Sequence, residues 1–146
     1  MATAVTRADA LQRAFFDANV LIYVDDGSDS RKQEIAVDLV EAHVRQQAVV
    51  VSIPVLGEYF TAAVRKLHLD AGIARSQIEF YAQLPLVEPS VTDVFAAVDI
   101  HRLHGFTYFD SLHLRCAQRA GCRIFFSEDM HHGLVMNGVR IVNPFL

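Results

Sequence analysis

Val49-Val50-Val51 sets three β-branched residues side by side with no polar residue between them. A strand with one wet face alternates apolar and polar residues, so an unbroken run marks a strand covered on both sides. Its flanks supply the covers. Residues 33–46 carry Ile35, Ala36, Leu39, Val40 and Val44 at helical spacing along one face. Directly after the run, Ser52 has the chemistry of an N-cap, and Pro54 falls in a first helical turn, where its missing N–H costs nothing. Helix, buried strand and helix in succession predict an α/β chain built on a mostly parallel sheet.

The rest of the chain repeats that alternation. Ala14-Phe15-Phe16 reads as a short buried strand, followed by a short helix over Val20–Val24 and a Gly/Ser/Asp loop over Asp25–Ser30. The helix opened by Ser52 is expected to run to about Leu69, and another spans Ile73–Leu84. Leu86-Val87 is a brief strand. Ser90 and Asp93 form a capping-box pattern for a helix that ends near Gly105. A further helix opens around Phe109-Asp110 and stops at Gly121; strands over Arg123–Phe126 and Val139–Val142 close the pattern. With 146 residues this makes one domain over 14–146, preceded by an N-terminal extension over 1–13.

Composition excludes several functions. The longest apolar runs are far shorter than the roughly 20 residues a spanning helix needs, and no basic start followed by an apolar stretch opens the chain. A cytoplasmic protein with no membrane association is expected. Cys116 and Cys122 lack zinc-pair spacing and read as buried reduced thiols. The net charge of −4 argues against binding nucleic acid by bulk electrostatics. It leaves room for an enzyme whose acids are neutralised by cations.

Four acids stand out by position. Asp17 ends the first strand, and Asp129 lies just past the strand that ends at Phe126. Glu58 sits inside the helix that begins where the Val49–Val51 strand stops, and Asp110 sits in the first turn of a later helix. In a parallel sheet, ligands gather at the carboxyl ends of strands. Ionised carboxylates in apolar surroundings are costly, and clustering raises the cost by mutual repulsion. A hard divalent cation removes it, and oxygen-only donors point to magnesium or manganese. Singly, each acid also fits a structural role as a helix cap or turn residue.

The motifs around these acids resemble those of the PIN-domain family. Asp17-Ala18-Asn19-Val20-Leu21 is similar to the family's opening Asp-x-Asn-x-Leu, and Ser52 through Glu58 to its Ser-x-x-Val/Leu-x-x-Glu helix. Asp110 with Ala117 resembles the Asp-x₆-Ala helix, and Ser127-Glu128-Asp129 the Thr/Ser-x-Asp turn. His132-Gly133 with Gly138 through Phe145 looks like the tail of a VapC-type bacterial subgroup. The resemblance covers residues 15–146. It implies a Rossmann-like, three-layer α/β/α PIN fold and a Mg²⁺- or Mn²⁺-dependent endoribonuclease. It also implies the toxin half of a type II toxin–antitoxin pair, with RNA as substrate, a VapB-like antitoxin as partner, and a homodimer. Carried over by position, Asp17, Glu58, Asp110 and Asp129 are the catalytic set, with the metal on Asp17, Asp110 and Asp129. Asn19 and Ser127 are supporting residues, and Glu128 is an extra acid. His113 departs from the smaller or apolar residues common at its position, which bears on helix packing.

Two other functions fit parts of the pattern. An aspartyl-phosphate phosphatase would use Asp17 as nucleophile, but Asn19 stands where a second acid is wanted, and Lys32 and Lys66 sit at no strand end. A catalytically silent PIN-like binding module would not need the four acids intact. Among the basic residues, Arg115, Arg119 and Arg123, and the pair Arg65-Lys66, read either as phosphate contacts or as solvated helix faces. His101 and His104 lack a third metal ligand and read as a surface pair.

Overall fold

The computed structural model describes residues 10–146, so most of the expected 1–13 extension lies outside the described residues. Six strands form one sheet: β1 (Ala14–Phe16), β2 (Val49–Ser52), β3 (Leu86–Val87), β4 (Ile124–Phe126), β5 (Val135–Met136) and β6 (Val139–Val142). Their order is β3-β2-β1-β4-β6-β5, parallel throughout except for the β5–β6 hairpin at one edge. Six helices accompany them: α1 (Ala18–Asp25), α2 (Ser30–Arg45), α3 (Ile53–Arg65), α4 (Ala71–Ala82), α5 (Val91–His104) and α6 (Tyr108–Arg119). The result is the expected three-layer α/β/α arrangement. No described helix is long and apolar enough to cross a membrane.

The central strands are apolar on both faces because both faces are covered. Every residue of β1 and β2 is buried. Phe15 of β1 stacks on Phe125 of β4 at 5.2 Å between ring centroids, and Phe16 meets Phe126 at 5.1 Å. Cys116 and Cys122 are free and buried, as read from the sequence.

Helix ends follow local chemistry. The Ser52 hydroxyl accepts from the Val55 N–H at 3.3 Å and caps α3. Ser90 and Asp93 form the anticipated capping box on α5, and Gly105 closes that helix at φ 73°. α3 stops at Arg65, short of the expected Leu69, because His68 turns into the left-handed region at φ 55°. β5 escaped the sequence reading. Its signal was Asn137-Gly138, with φ of 48° and 82°, the turn chemistry of a tight hairpin.

β1 and β4 are neighbours at the centre of the sheet, with β2 on the far side of β1. The chain leaves β1 and β2 for helices at the same sheet edge. The strand order therefore reverses beside the carboxyl end of β1, where such folds open a crevice.

Candidate active site

Asp17 follows the last residue of β1 and acts as the N-cap of α1, accepting the Ala18 N–H at 2.7 Å on Oδ1. Its other oxygen, Oδ2, accepts from the Ser127 hydroxyl at 2.8 Å. Ser127 stands just past β4 and is fully buried. Both carboxylate oxygens are thus fixed by the two adjacent central strands, and Asp17 itself is only 4 % exposed.

Asn19 binds the β4 side of the crevice to the β1 side. Its Nδ2 donates to Asp129 Oδ2 at 2.9 Å and to Ser127 Oγ at 3.3 Å, and its Oδ1 accepts the Glu128 N–H at 3.3 Å. The Asp129 N–H in turn donates to Ser127 Oγ at 3.2 Å. One asparagine and one serine therefore orient both Asp17 and Asp129.

The other two acids come from helices. Glu58 lies in the second turn of α3, and His113 of α6 donates from Nε2 to Glu58 Oε2 at 3.0 Å. Asp110 lies in the first turn of α6, where Thr107 Oγ1 accepts its backbone N–H at 3.2 Å. Asp17, Asn19, Glu58, Asp110, Glu128 and Asp129 all line one cleft of about 360 Å³, joined there by Lys66.

Glu128 stands differently from the other acids. Lys32 of α2 pairs with its carboxylate, contacts the Tyr23 hydroxyl at 3.3 Å, and lies over the Tyr23 and Phe145 rings. Its charge is met by protein, and it ties α2 to the turn that carries Asp129.

The electrostatics follow from burial and crowding. Burial, assisted by Asp110 and Glu58, pushes Asp17 up to about 6 despite the opposing His113 charge and Ser127 hydrogen bond. Asp110 is raised too, first by burial and then by Asp129 and Glu58, against the pull of Thr107 and His113. For His113 burial acts to lower the pKa, but the Glu58 hydrogen bond and the charges of Asp17, Glu58 and Asp110 outweigh it and raise the value.

One set of possible metal donors is tightest among the described residues: Asp17, Glu58 and His113, whose ligand atoms lie within 4.8 Å of one another. It differs from the expected trio of Asp17, Asp110 and Asp129 by bringing Glu58 inward and adding an imidazole. The sequence reading gave His113 only a packing role. Its signal was position: three residues after Asp110, it shares that acid's helix face. His113 is fully buried, its ring stacks near Phe15 at 6.1 Å, and Nδ1 has no hydrogen-bond partner. Metal-ligating histidines almost always anchor their second ring nitrogen. The bare Nδ1 therefore favours a role for His113 in holding Glu58. Crowded, partly buried carboxylates rich in hard oxygens suit a small divalent cation.

The remaining candidates separate cleanly. Arg115 donates to Asp93 Oδ1 at 2.9 Å and Arg119 to Asp93 Oδ2 at 2.5 Å, so both serve the α5–α6 contact. Arg65 and Lys66 are exposed and make no ion pair among the described residues. His101 Nδ1 donates to the Phe106 carbonyl, and His132 Nδ1 accepts the Asn143 N–H at 3.0 Å, a packing role in the turn.

The sequence model of the PIN domain matches residues 14–133. Among solved structures, the chain is similar to a Mycobacterium tuberculosis VapC20, a toxin that cleaves the sarcin-ricin loop. The TM-score is 0.65 at 18% identity, over 77% of this chain and 86% of that one. It is also similar to a chain of a toxin–antitoxin complex from Klebsiella pneumoniae, with a TM-score of 0.68 at 19% identity, over 90% of this chain and 97% of that one. No protein of curated function matches by sequence.

Proposed function

This chain belongs to the PIN domain family, and from that premise we propose that it is a metal-dependent endoribonuclease. In this reading it is the toxin component of a type II toxin–antitoxin pair and acts in the cytoplasm. The observation that carries the proposal is the meeting of Asp17, Glu58, Asp110 and Asp129, drawn from four separate elements, at one cleft. Two of them, Asp17 and Asp110, are held above the usual carboxylate range by burial and by neighbouring acids of the cluster. Such a cluster gains most from a divalent ion and has little use as ordinary surface.

Asp17, Asp110 and Asp129 would hold Mg²⁺ or Mn²⁺, with Glu58 beside them. A bound cation of this kind supplies Lewis acidity toward a water and toward the scissile phosphate. The protein's own part is orientation. Ser127 and the Ala18 N–H fix Asp17, Asn19 fixes Asp129, and His113 fixes Glu58, so the acids need little rearrangement when substrate arrives. Lys32 holds Glu128 outside the donor set and keeps the Asp129 turn in place.

A small protein antitoxin would silence the enzyme by presenting a basic side chain to the same acids. The similarity to a chain from a toxin–antitoxin complex supports such a partner. Val91, Phe95 and Val98 leave an exposed apolar stripe on α5, which supports a symmetric homodimer.

The test is cleavage of a purified RNA by the purified protein with Mg²⁺, with Mn²⁺, and with EDTA. Cleavage is expected with either ion, none with EDTA, and background only for Asp17→Asn and Asp129→Asn. RNA left intact under every metal condition would favour a silent binding module.

A further inference from the structure

A second groove opens off the acid cleft, along α3 toward the start of α6. It measures about 620 Å³ and is bordered by Pro54, Thr61, Arg65, Lys66 and Phe109, with Glu58 and Lys66 shared with the acid cleft. Pockets of roughly 300–1,000 Å³ hold ligands of nucleotide size. Phe109 is the unusual residue. It sits in the first turn of α6, immediately before Asp110, yet is 55% exposed. Its ring meets that of Tyr108 in a T-shaped contact at 5.2 Å and borders the groove with more than half of its surface open to solvent. The same groove is bordered by two cations, Arg65 and Lys66, without acidic partners among the described residues, whereas Arg115 and Arg119 are committed to Asp93.

An aromatic face, two free cations and an adjoining cluster of acids have one ligand chemistry in common. Bases stack on aromatic rings, and phosphates pair with Lys and Arg. We infer that this groove receives an unpaired RNA nucleotide next to the scissile phosphate, its base on Phe109 and its flanking phosphates at Arg65 and Lys66. The inference rests on the ribonuclease reading and adds to it the residues of this chain that meet the base and its flanking phosphates. A base inside an A-form duplex already has both faces stacked and cannot lie on Phe109, so the site selects single-stranded or looped RNA over duplex.

The test uses short RNAs carrying 2-aminopurine at successive positions, bound to the full-length Asp17→Asn protein with Mg²⁺ so that the strand stays intact. One position is expected to show fluorescence quenched by stacking. Phe109→Ala, built on the same background, should remove that quench and weaken binding about tenfold to a hundredfold, while Phe109→Trp retains both. The same strand annealed to its complement should bind at least about tenfold more weakly. The double change Arg65→Gln with Lys66→Gln should flatten the slope of log Kd against log salt by about 1.4, the value for two contacts on a single strand.

Cleavage by the wild-type background separates this idea from the reading beneath it. If Phe109→Ala cleaves and binds unpaired RNA like the parent, or duplex binds equally well, the groove assignment is overturned and the nuclease stands. A Phe109→Ala protein altered only in its oligomeric mass makes this a protein–protein contact and overturns it too. If the parent cleaves no RNA at all, both fall together.

Discussion

Asp17 brings stability and chemistry into conflict within a single side chain. Its pKa is raised from 3.8 to about 6 in the folded protein, so the fold prefers it protonated. A raised carboxylate withdraws stability as pH climbs from the unfolded value through the folded one, here from about 4 to about 6. The full cost at neutral pH, without metal, is on the order of 3 kcal/mol. Asp17→Asn keeps the shape and removes the charge, and its amide oxygen can still accept the Ala18 N–H. In EDTA it should raise Tm at pH 7.5 by about 5–10 °C and change it little below pH 4, as followed by circular dichroism across pH. An equal Tm for both proteins at pH 7.5 would show that the buried charge costs nothing.

His113 is the other residue where the sequence said too little. Nε2 carries a proton both in the neutral form that leaves Nδ1 bare and in the imidazolium, so the bond to Glu58 survives either state. His113→Leu removes that donor and should weaken Mn²⁺ binding by about tenfold to a hundredfold, the usual effect of losing a residue that orients a ligand. His113→Gln, which can still donate an amide N–H, should recover part of it. Isothermal titration reads both, with Tm as a check on folding.

At the level of elements, the α5–α6 pair depends on one buried acid. Asp93 is 1% exposed, caps α5 through Ser90 and accepts from Arg115 and Arg119. Burial opposes its charge, but the Ser90 N–H and the two guanidinium groups prevail and hold it down to about 2. A depressed carboxylate contributes stability above its unfolded pKa and loses it as pH falls, here between about 4 and 2. Asp93→Ala should cost about 2–3 kcal/mol in urea unfolding at pH 7, because it strips a cap and takes from two arginines the carboxylate they share. That loss should shrink toward pH 2. A cost below about 0.5 kcal/mol at pH 7 would mean the two helices are joined by apolar packing alone.

The elements also show what a sequence can carry. β1 and β2 were legible because buried strands are continuous apolar runs. The starts of α3 and α5 were legible because Ser52, Pro54, Ser90 and Asp93 are local signals. The early end of α3 was not, since it turns on the backbone angle of His68 and not on its residue type. In the cleft, the acids could be nominated from strand ends and helix starts. The pairing of Lys32 with Glu128, of His113 with Glu58 and of Arg115 with Asp93 joins residues 96, 55 and 22 apart, which no local pattern encodes.

Over the whole molecule, the net charge of −4 is concentrated where it is useful. Six acids line one cleft, Arg65 and Lys66 at the end of α3 border the adjoining groove, and the arginines of α6 are spent on an internal contact. On the proposed function, an acidic protein of this build would bind nucleic acid through its ions and one groove, with little contribution from its overall field.

Mn²⁺ titration followed by electron paramagnetic resonance bears on that claim most directly, because it reads the ion itself and needs no knowledge of the RNA. At least one Mn²⁺ per chain should bind to the wild-type protein, and Asp17→Asn and Asp129→Asn should each lose most of it while Glu128→Gln keeps it. A wild-type protein that binds no more Mn²⁺ than Asp17→Asn would contradict the account.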